Sequence, residues 1–278
     1  MALSISNAFV QLFDAEVKQA YQGARSLAGL CRERSGVEGN QVKFPKLGKG
    51  TATVRVPQTD VTPLNVTYSQ VTATMSDYIA AEYSDIFQQQ KVNFDERREL
   101  VTTVGNAIGR RMDQILLDAA NAASSPGTVG TNVGGTGTNM NLAKILEAKE
   151  ILDTNNVPAE GRVMIIHAKN LSALLDETEL TSSDFATVKA LSNGQIDSFA
   201  GFTFRTIGDR DEGGLTLASG VRTCLAFHRD AIGMGIGMNQ RSEINYVPEK
   251  TSFLVSSMFS AGAVAIEDEG IVKISATE

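Results

Sequence analysis

The two cysteines of this 278-residue chain, Cys31 and Cys224, stand far apart and form no C-x-x-C pair. Neither a disulfide framework nor a zinc knuckle is indicated, and a reducing compartment fits best. Positive charge is also short: 25 Lys and Arg against 32 Asp and Glu give a formal charge of -7 and a pI near 5.0. A protein whose main task is gripping phosphate would reverse that balance, because nonspecific nucleic-acid binding is driven by Lys and Arg. Nowhere do about 18 apolar residues follow one another. No cationic segment followed by an apolar run opens the chain, so the expectation is a soluble, cytoplasmic protein with no membrane role.

Chemistry-bearing residues are scarce too. His167 follows the apolar run RVMII and His228 follows TCLAF, and neither has a Cys, His or carboxylate at metal-ligand spacing, so strand-end structural roles are expected. Gly48-Lys49-Gly50-Thr51 misses the phosphate-loop spacing, and Gly233, Gly235 and Gly237 follow G-x-G-x-G rather than the dinucleotide pattern. Those three glycines are expected to permit close strand packing or a bulge. Asp209 to Gly214 opens like a calcium loop, but Gly220 stands where the bidentate Glu belongs, leaving an acidic surface turn. Neither a G-x-S-x-G elbow nor an H-E-x-x-H helix occurs. No catalytic, cofactor-binding or metal residue is assigned, and an enzyme is not expected.

What the chain does contain is one long periodic stretch, Asn93 to Ala122. Leu100, Val101, Val104, Ile108, Met112, Ile115, Leu116 and Ala119 recur at three- and four-residue steps, one stripe of a helix. Asn93 is expected to cap it, with Glu96 as capping-box partner. At about 1.5 Å per residue this helix would span roughly 45 Å, a strut longer than a compact domain needs. Arg110, Arg111 and Asp113 lie on its polar face, either in solvent or at a subunit or inner-wall surface. Gly105 and Gly109, four apart, could admit another backbone.

Around the strut the pattern changes. Residues 4–30 carry an amphipathic stripe that includes Phe9, Phe13, Val17, Tyr21, Ala24 and Leu27, and predict a helix packed on protein. Gly36 to Asp85 is rich in Thr, Val, Gly and Pro, and alternation predicts strands at Thr51–Val56 and Val66–Met75, an extended hairpin with little core of its own. Ser124 to Asn139 reads as a mobile Gly/Thr/Asn loop. Helices are predicted from Leu142 to before Pro158, at Asn170–Leu175 and at Asp184–Leu191. Strands are predicted at Arg162–Ile166, Phe199–Ile207, Arg222–Phe227, Glu243–Val247 and Ser252–Met258. Ala263–Ile266 and Ile271–Ser275 read as a closing hairpin. The sum is α+β.

This order of elements, without a recognisable active site, resembles the major capsid proteins of tailed double-stranded-DNA bacteriophages of the Hong Kong 97-type fold. Phe44-Pro45-Lys46-Leu47-Gly48 is similar to the F-P-x-L-G entry to the arm in capsid proteins of short-tailed phages. Val157 to Ile166 followed by Leu171 to Leu175 resembles the family's helix end, central strand and next helix, and Ile196 to Phe204 resembles a later strand.

The resemblance implies an N-terminal arm (1–35), an extended β-hairpin loop (36–85), a peripheral domain with the long spine helix (86–125 and 241–278) and an axial domain (126–240). It implies self-assembly into hexamers and pentamers of an icosahedral shell in the virion, formed in the bacterial cytoplasm around double-stranded DNA bound without sequence specificity. Separate scaffolding protein and a portal are the other implied partners. The residues of the Lys–Asn crosslink of some members find no match here. Lys46, Lys49 and Arg55 are expected to meet acidic groups of an adjacent subunit. An encapsulin-like cargo compartment shares the fold, and a soluble enzyme with an unrecognised site is the reading from another class.

Overall fold

The computed structural model describes residues 23–61, 63–91, 95–176 and 198–278. In chain order β1 (Arg32–Ser35) is followed by the paired strands β2 (Gln41–Leu47) and β3 (Tyr68–Thr74). β4 (Ser76–Asp85) leads through the single turn α1 (Ile86–Gln89) to the long helix α2 (Glu96–Asn121). β5 (Gly127–Val129), α3 (Leu142–Thr154), β6 (Arg162–His167) and α4 (Ala168–Leu175) come next. The described elements end with β7 (Ser198–Phe199), β8 (Phe202–Ile207), β9 (Leu217–Ala218), β10 (Val221–His228), β11 (Ile232–Val247), β12 (Ser252–Ala265) and β13 (Ile271–Thr277).

The strut is α2, and six of its eight stripe residues, Val104, Ile108, Met112, Ile115, Leu116 and Ala119, are buried on the side that packs against β12 and β4, while Leu100 and Val101 near its start are half-buried. Its start differs from expectation. Asn93 lies outside the described residues, Asp95 occupies the cap without a side-chain cap bond, and Glu96 accepts a hydrogen bond from Ser84 Oγ at 2.8 Å instead of closing a capping box. That bond ties the helix start to the end of β4.

The described residues form two large sheets, and α2 packs on the first of them. One is four-stranded in the order β1-β11-β12-β4; the other is seven-stranded in the order β5-β13-β10-β6-β8-β7, with β9 on β10. β6, the predicted central strand, is buried along its whole length, as an apolar run between two neighbours and covered on both faces should be. Phe199–Ile207 divides into β7 and β8 because Ala200 and Gly201 take φ of 51° and 85° and turn the chain back.

Several expectations are corrected. Residues 23–30 form no helix, while residues 4–22 and the predicted helix at Asp184–Leu191 lie outside the described residues. The predicted strand Thr51–Val56 is absent; the hairpin pairs β2 with β3, from Gln41↔Thr74 to Leu47↔Tyr68. Continuing that register would set 51–56 against a stretch where Pro63 offers no N–H. Asn65, which would face Gly50 just before that stretch, takes φ of 46°, so the ladder is broken at its entry. The loop predicted to be mobile is built in: Val129 is buried, β5 pairs with β13, and the buried Lys144 Nζ donates to Thr138 O at 2.6 Å and Ser275 O at 2.8 Å. Hydrogen bonds there replace the apolar side chains that the sequence lacks. Finally, β12 and β13 are not a hairpin. Ile266 N and Glu267 N both donate to Ala231 O at 2.8 and 3.2 Å, and the chain crosses to the other sheet, where β13 pairs with β10. A two-stranded ribbon could not have hidden Ile271, Val272 and Ile274, all fully buried.

Candidate assembly surfaces

The hairpin of β2 and β3 divides into a docked stem and an uncovered tip. The stem has a small core of Val42, Phe44, Ala73 and Met75 with Ile266. It lies against β11 where Gly233 and Gly235 leave room: a Cβ on Gly233 would come within 2.8 Å of the Phe44 ring, and one on Gly235 within 2.5 Å of Val42 Cγ1. The same stretch carries a register shift near Ile236 and Met238, so close packing and irregular pairing occur together. Beyond Gly48, whose N–H donates to Thr67 O at 2.8 Å, the tip has no strand. Val54 is 93% exposed and Val61 87%, and Val56 and Leu64 are exposed as well.

The arm cations are placed differently from one another. Lys46 Nζ lies 3.0 Å from Glu267 Oε1 and Lys49 Nζ 2.7 Å from Glu269 Oε2, both within the same chain. The Lys49 hydrogen bond holds the Glu269 carboxyl below its ordinary range and the lysine above its own. Arg55 is exposed. The acids that two arm lysines meet here thus belong to the turn between β12 and β13.

The charges of α2 also separate. Asp113 is 1% exposed, so it lies neither in solvent nor on an outer surface. Its carboxylate accepts from Ser26 N at 2.9 Å, Ser26 Oγ at 3.1 Å and Leu27 N at 3.1 Å, and pairs with Arg210 Nη1 at 3.2 Å. The segment around Arg25 crosses the helix at Gly109, where an added Cβ would lie 3.0 Å from Arg25 N. Gly109 is the glycine that admits a backbone; Gly105 faces the Gln240 side chain. Arg111 bridges to Glu212 at 2.9 Å and stacks 4.7 Å over the Tyr78 ring. Arg110 Nη1 donates to Gly23 O at 3.4 Å. Sequence periodicity places these three on a polar face but cannot show that a second segment of the chain lies across it.

A second polar cluster, which the sequence reading missed, joins His167, Asp209, Arg222 and Glu278. Arg222 is buried and donates to Glu278 at 2.5 and 3.1 Å and to Asp209 at 3.0 Å. Burial alone would raise the Glu278 pKa, but the Arg222 hydrogen bond and charge bring it below its ordinary value. Asp209 is likewise lowered, chiefly by its hydrogen bond from Arg222. His167 Nδ1 accepts from Lys169 N at 3.3 Å and so caps α4, a strand-end structural role. Its Nε2 sits 3.2 Å from Asp209 Oδ1 but off the line a hydrogen bond needs. His228 similarly accepts from Asp230 N at 3.2 Å.

Burial pushes both Cys31 and Cys224 up to about 12, which removes them as thiolate nucleophiles near neutral pH. Among the described residues no group of three or more His, Cys, Asp and Glu is arranged to hold a metal. A cleft of about 280 Å³ borders Lys49, Pro158, His228 and Glu269, and it contains no nucleophile paired with a base. The uncovered arm tip, with Val54 and Val61 in the open, has no internal explanation among the described residues.

A family model described as phage capsid protein matches residues 5–278. Among solved structures, the capsid of cyanophage P-SCSP1u is 18% identical, with 96% of this chain and 92% of that chain covered at a TM-score of 0.77. The head structure of Helicobacter pylori bacteriophage KHP40 is 10% identical, with coverage of 99% and 98% and a TM-score of 0.80. Mycobacterium phage Che8 is 16% identical, with 98% of both chains covered at a TM-score of 0.74. At such identities the likeness establishes the fold, of Hong Kong 97 type. No curated protein matches the chain.

Proposed function

Since the chain belongs to the phage capsid protein family, we propose that it is the major capsid protein of a tailed phage, many copies of which close into an icosahedral shell around double-stranded DNA. The observation that carries this reading is the family match across residues 5–278. Supporting it is an arm whose apolar tip is exposed among the described residues. Hexamers and pentamers are the capsomers, and separate scaffolding protein and a portal are the partners during assembly in the host cytoplasm. The excess of acidic residues suits a wall that encloses DNA without gripping its phosphates.

Residues 36–85 serve as the extended loop, α2 as the spine and residues 126–240 as the axial unit, with residues 1–35 as the N-terminal arm. β13 pairs with β10, so the axial sheet includes the strand 271–277, and the peripheral unit comprises 86–125 and 241–265. Lys46, Lys49, Arg55, Arg110 and Arg111 are candidates for contacts between copies; buried Asp113 is not. An encapsulin-like cargo shell shares the fold, and the family match favours the phage reading. Catalysis forms no part of this role.

Size-exclusion chromatography and negative-stain microscopy of the expressed chain, with and without co-expressed scaffold, test the reading. Capsomers or closed shells are expected. Monomers under all conditions would contradict it.

A further inference from the structure

Where the arm leaves the body of the chain, four charges meet. β2 ends at Leu47, paired with Tyr68, and the bond from Gly48 N to Thr67 O, at 2.8 Å, is the last rung of the hairpin. Lys46 and Lys49 stand on either side of that exit. Lys46 Nζ lies 3.0 Å from Glu267 Oε1, and Lys49 Nζ 2.7 Å from Glu269 Oε2. The Lys49 pKa is raised first by its hydrogen bond to Glu269 and further by the charge of Glu267. That of Glu269 is lowered first by the Lys49 hydrogen bond and further by Lys46. The four side chains thus act as one network rather than as two separate pairs.

The acidic side of this network is a fixed anchor. Glu267 N donates to Ala231 O at 3.2 Å, and Gly270 N to Glu267 O at 3.2 Å. Ser125 N donates to Asp268 Oδ2 at 3.1 Å, and Asn155 Nδ2 to Glu269 O at 3.0 Å. The turn 267–270 is therefore tied to the link between β10 and β11, to the segment after α2 and to the end of α3. The basic side lacks such support. Val42 and Phe44 dock the stem, but among the described residues of 49–66, Lys49 alone has a hydrogen bond or ion pair that reaches outside the hairpin.

We propose that Lys46, Lys49, Glu267 and Glu269 form an ionic latch that fixes the direction in which residues 49–66 leave the body of the chain, and that lets go when salt screens it. A segment held to a rigid anchor through charge alone can be released without disturbing the core. The side chains of Lys49 and Glu269 are 77% and 50% exposed, and exposed ion pairs are weak and salt-dependent. The Debye length falls from about 10 Å at 0.1 M salt to about 3 Å at 1 M. The apolar packing of Val42 and Phe44 has no charge for salt to screen, so the stem stays docked while the tip is freed. The latch is a property of the single chain. Its use, in a shell whose hexamers and pentamers set copies at different angles, rests on the reading above.

Pulsed electron paramagnetic resonance on the unassembled chain tests the latch, with spin labels at Val61→Cys in the tip and Glu150→Cys on α3, both exposed positions. Cys31 and Cys224 are buried and are left unlabelled. The distance distribution is expected to be narrow at about 0.1 M salt and at least about twofold broader at about 1 M. Lys46→Glu with Lys49→Glu should be broad at both, with circular dichroism unchanged. Adding Glu267→Lys and Glu269→Lys should restore the narrow distribution at low salt. A wild-type width that salt leaves unchanged, a reversed chain as narrow as the wild type, or a fourfold variant that stays broad would overturn the latch. None of these outcomes touches the capsid reading, which the particle assay decides.

Discussion

Asp113 combines burial at 1% exposure with three protein hydrogen bonds and an ion pair to Arg210. Removing it leaves Arg210 and the Leu27 N–H without their acceptor, and losing one partner of a buried pair costs about 3–5 kcal/mol. Asp113→Ala should therefore lower the denaturant midpoint strongly and free the segment around Arg25, read as new cleavage near Arg25 in limited proteolysis. Glu278 gives a pH-dependent counterpart. Its folded pKa lies below the ordinary 4.5, so its contribution is complete above that value and is lost as pH falls through the lowered one. Glu278→Gln should cost about 1–2 kcal/mol at neutral pH, and its melting temperature should converge on that of the wild type as pH is taken from 5 toward 3. Neither role was legible in sequence. A charged residue on a helix's polar face reads as solvated until the strand or segment crossing it is known, although Gly109 marked where a backbone could cross.

At the scale of elements, the strut and the buried strands were readable because one period runs through each: α2 by its three- and four-residue steps, β6 by its continuous apolar run. Boundaries that depend on a partner were not. TATVRV has strand periodicity, and periodicity says nothing about whether another strand is present to pair with it. Nearness in sequence pairs Ile271–Ser275 with Ala263–Ile266, whereas the strand pairs with β10 and buries Val272, Ile274 and Ala276. The stem of the arm depends on glycine in β11. Gly235→Ala would set a methyl 2.5 Å from Val42 Cγ1 and 3.2 Å from Met75 Sδ, an overpacking that costs about 1–3 kcal/mol. Faster proteolysis between residues 48 and 67, with little change in the unfolding of the main core, is the expected result.

For the whole molecule, the question is why the arm tip carries Val54, Val56, Val61 and Leu64 in the open. Covering a side chain of this kind is worth about 1.5–3 kcal/mol, so four contribute roughly 6–12 kcal/mol per copy. Association costs about 4–15 kcal/mol in lost freedom. The two are comparable, so a single arm contact is marginal. In the proposed shell, were every copy to give and receive an arm, the marginal contact would become collective. The central claim is thus that the tip is an assembly element and contributes nothing to the fold of the chain that bears it. Sedimentation velocity on the wild type and on a chain with residues 51–64 replaced by a short Gly/Ser turn tests it most directly, with thermal unfolding as the control. Unchanged unfolding of the monomer and loss of capsomers and shells are expected; shells formed by the replaced chain as efficiently as by the wild type would contradict an assembly role for the tip.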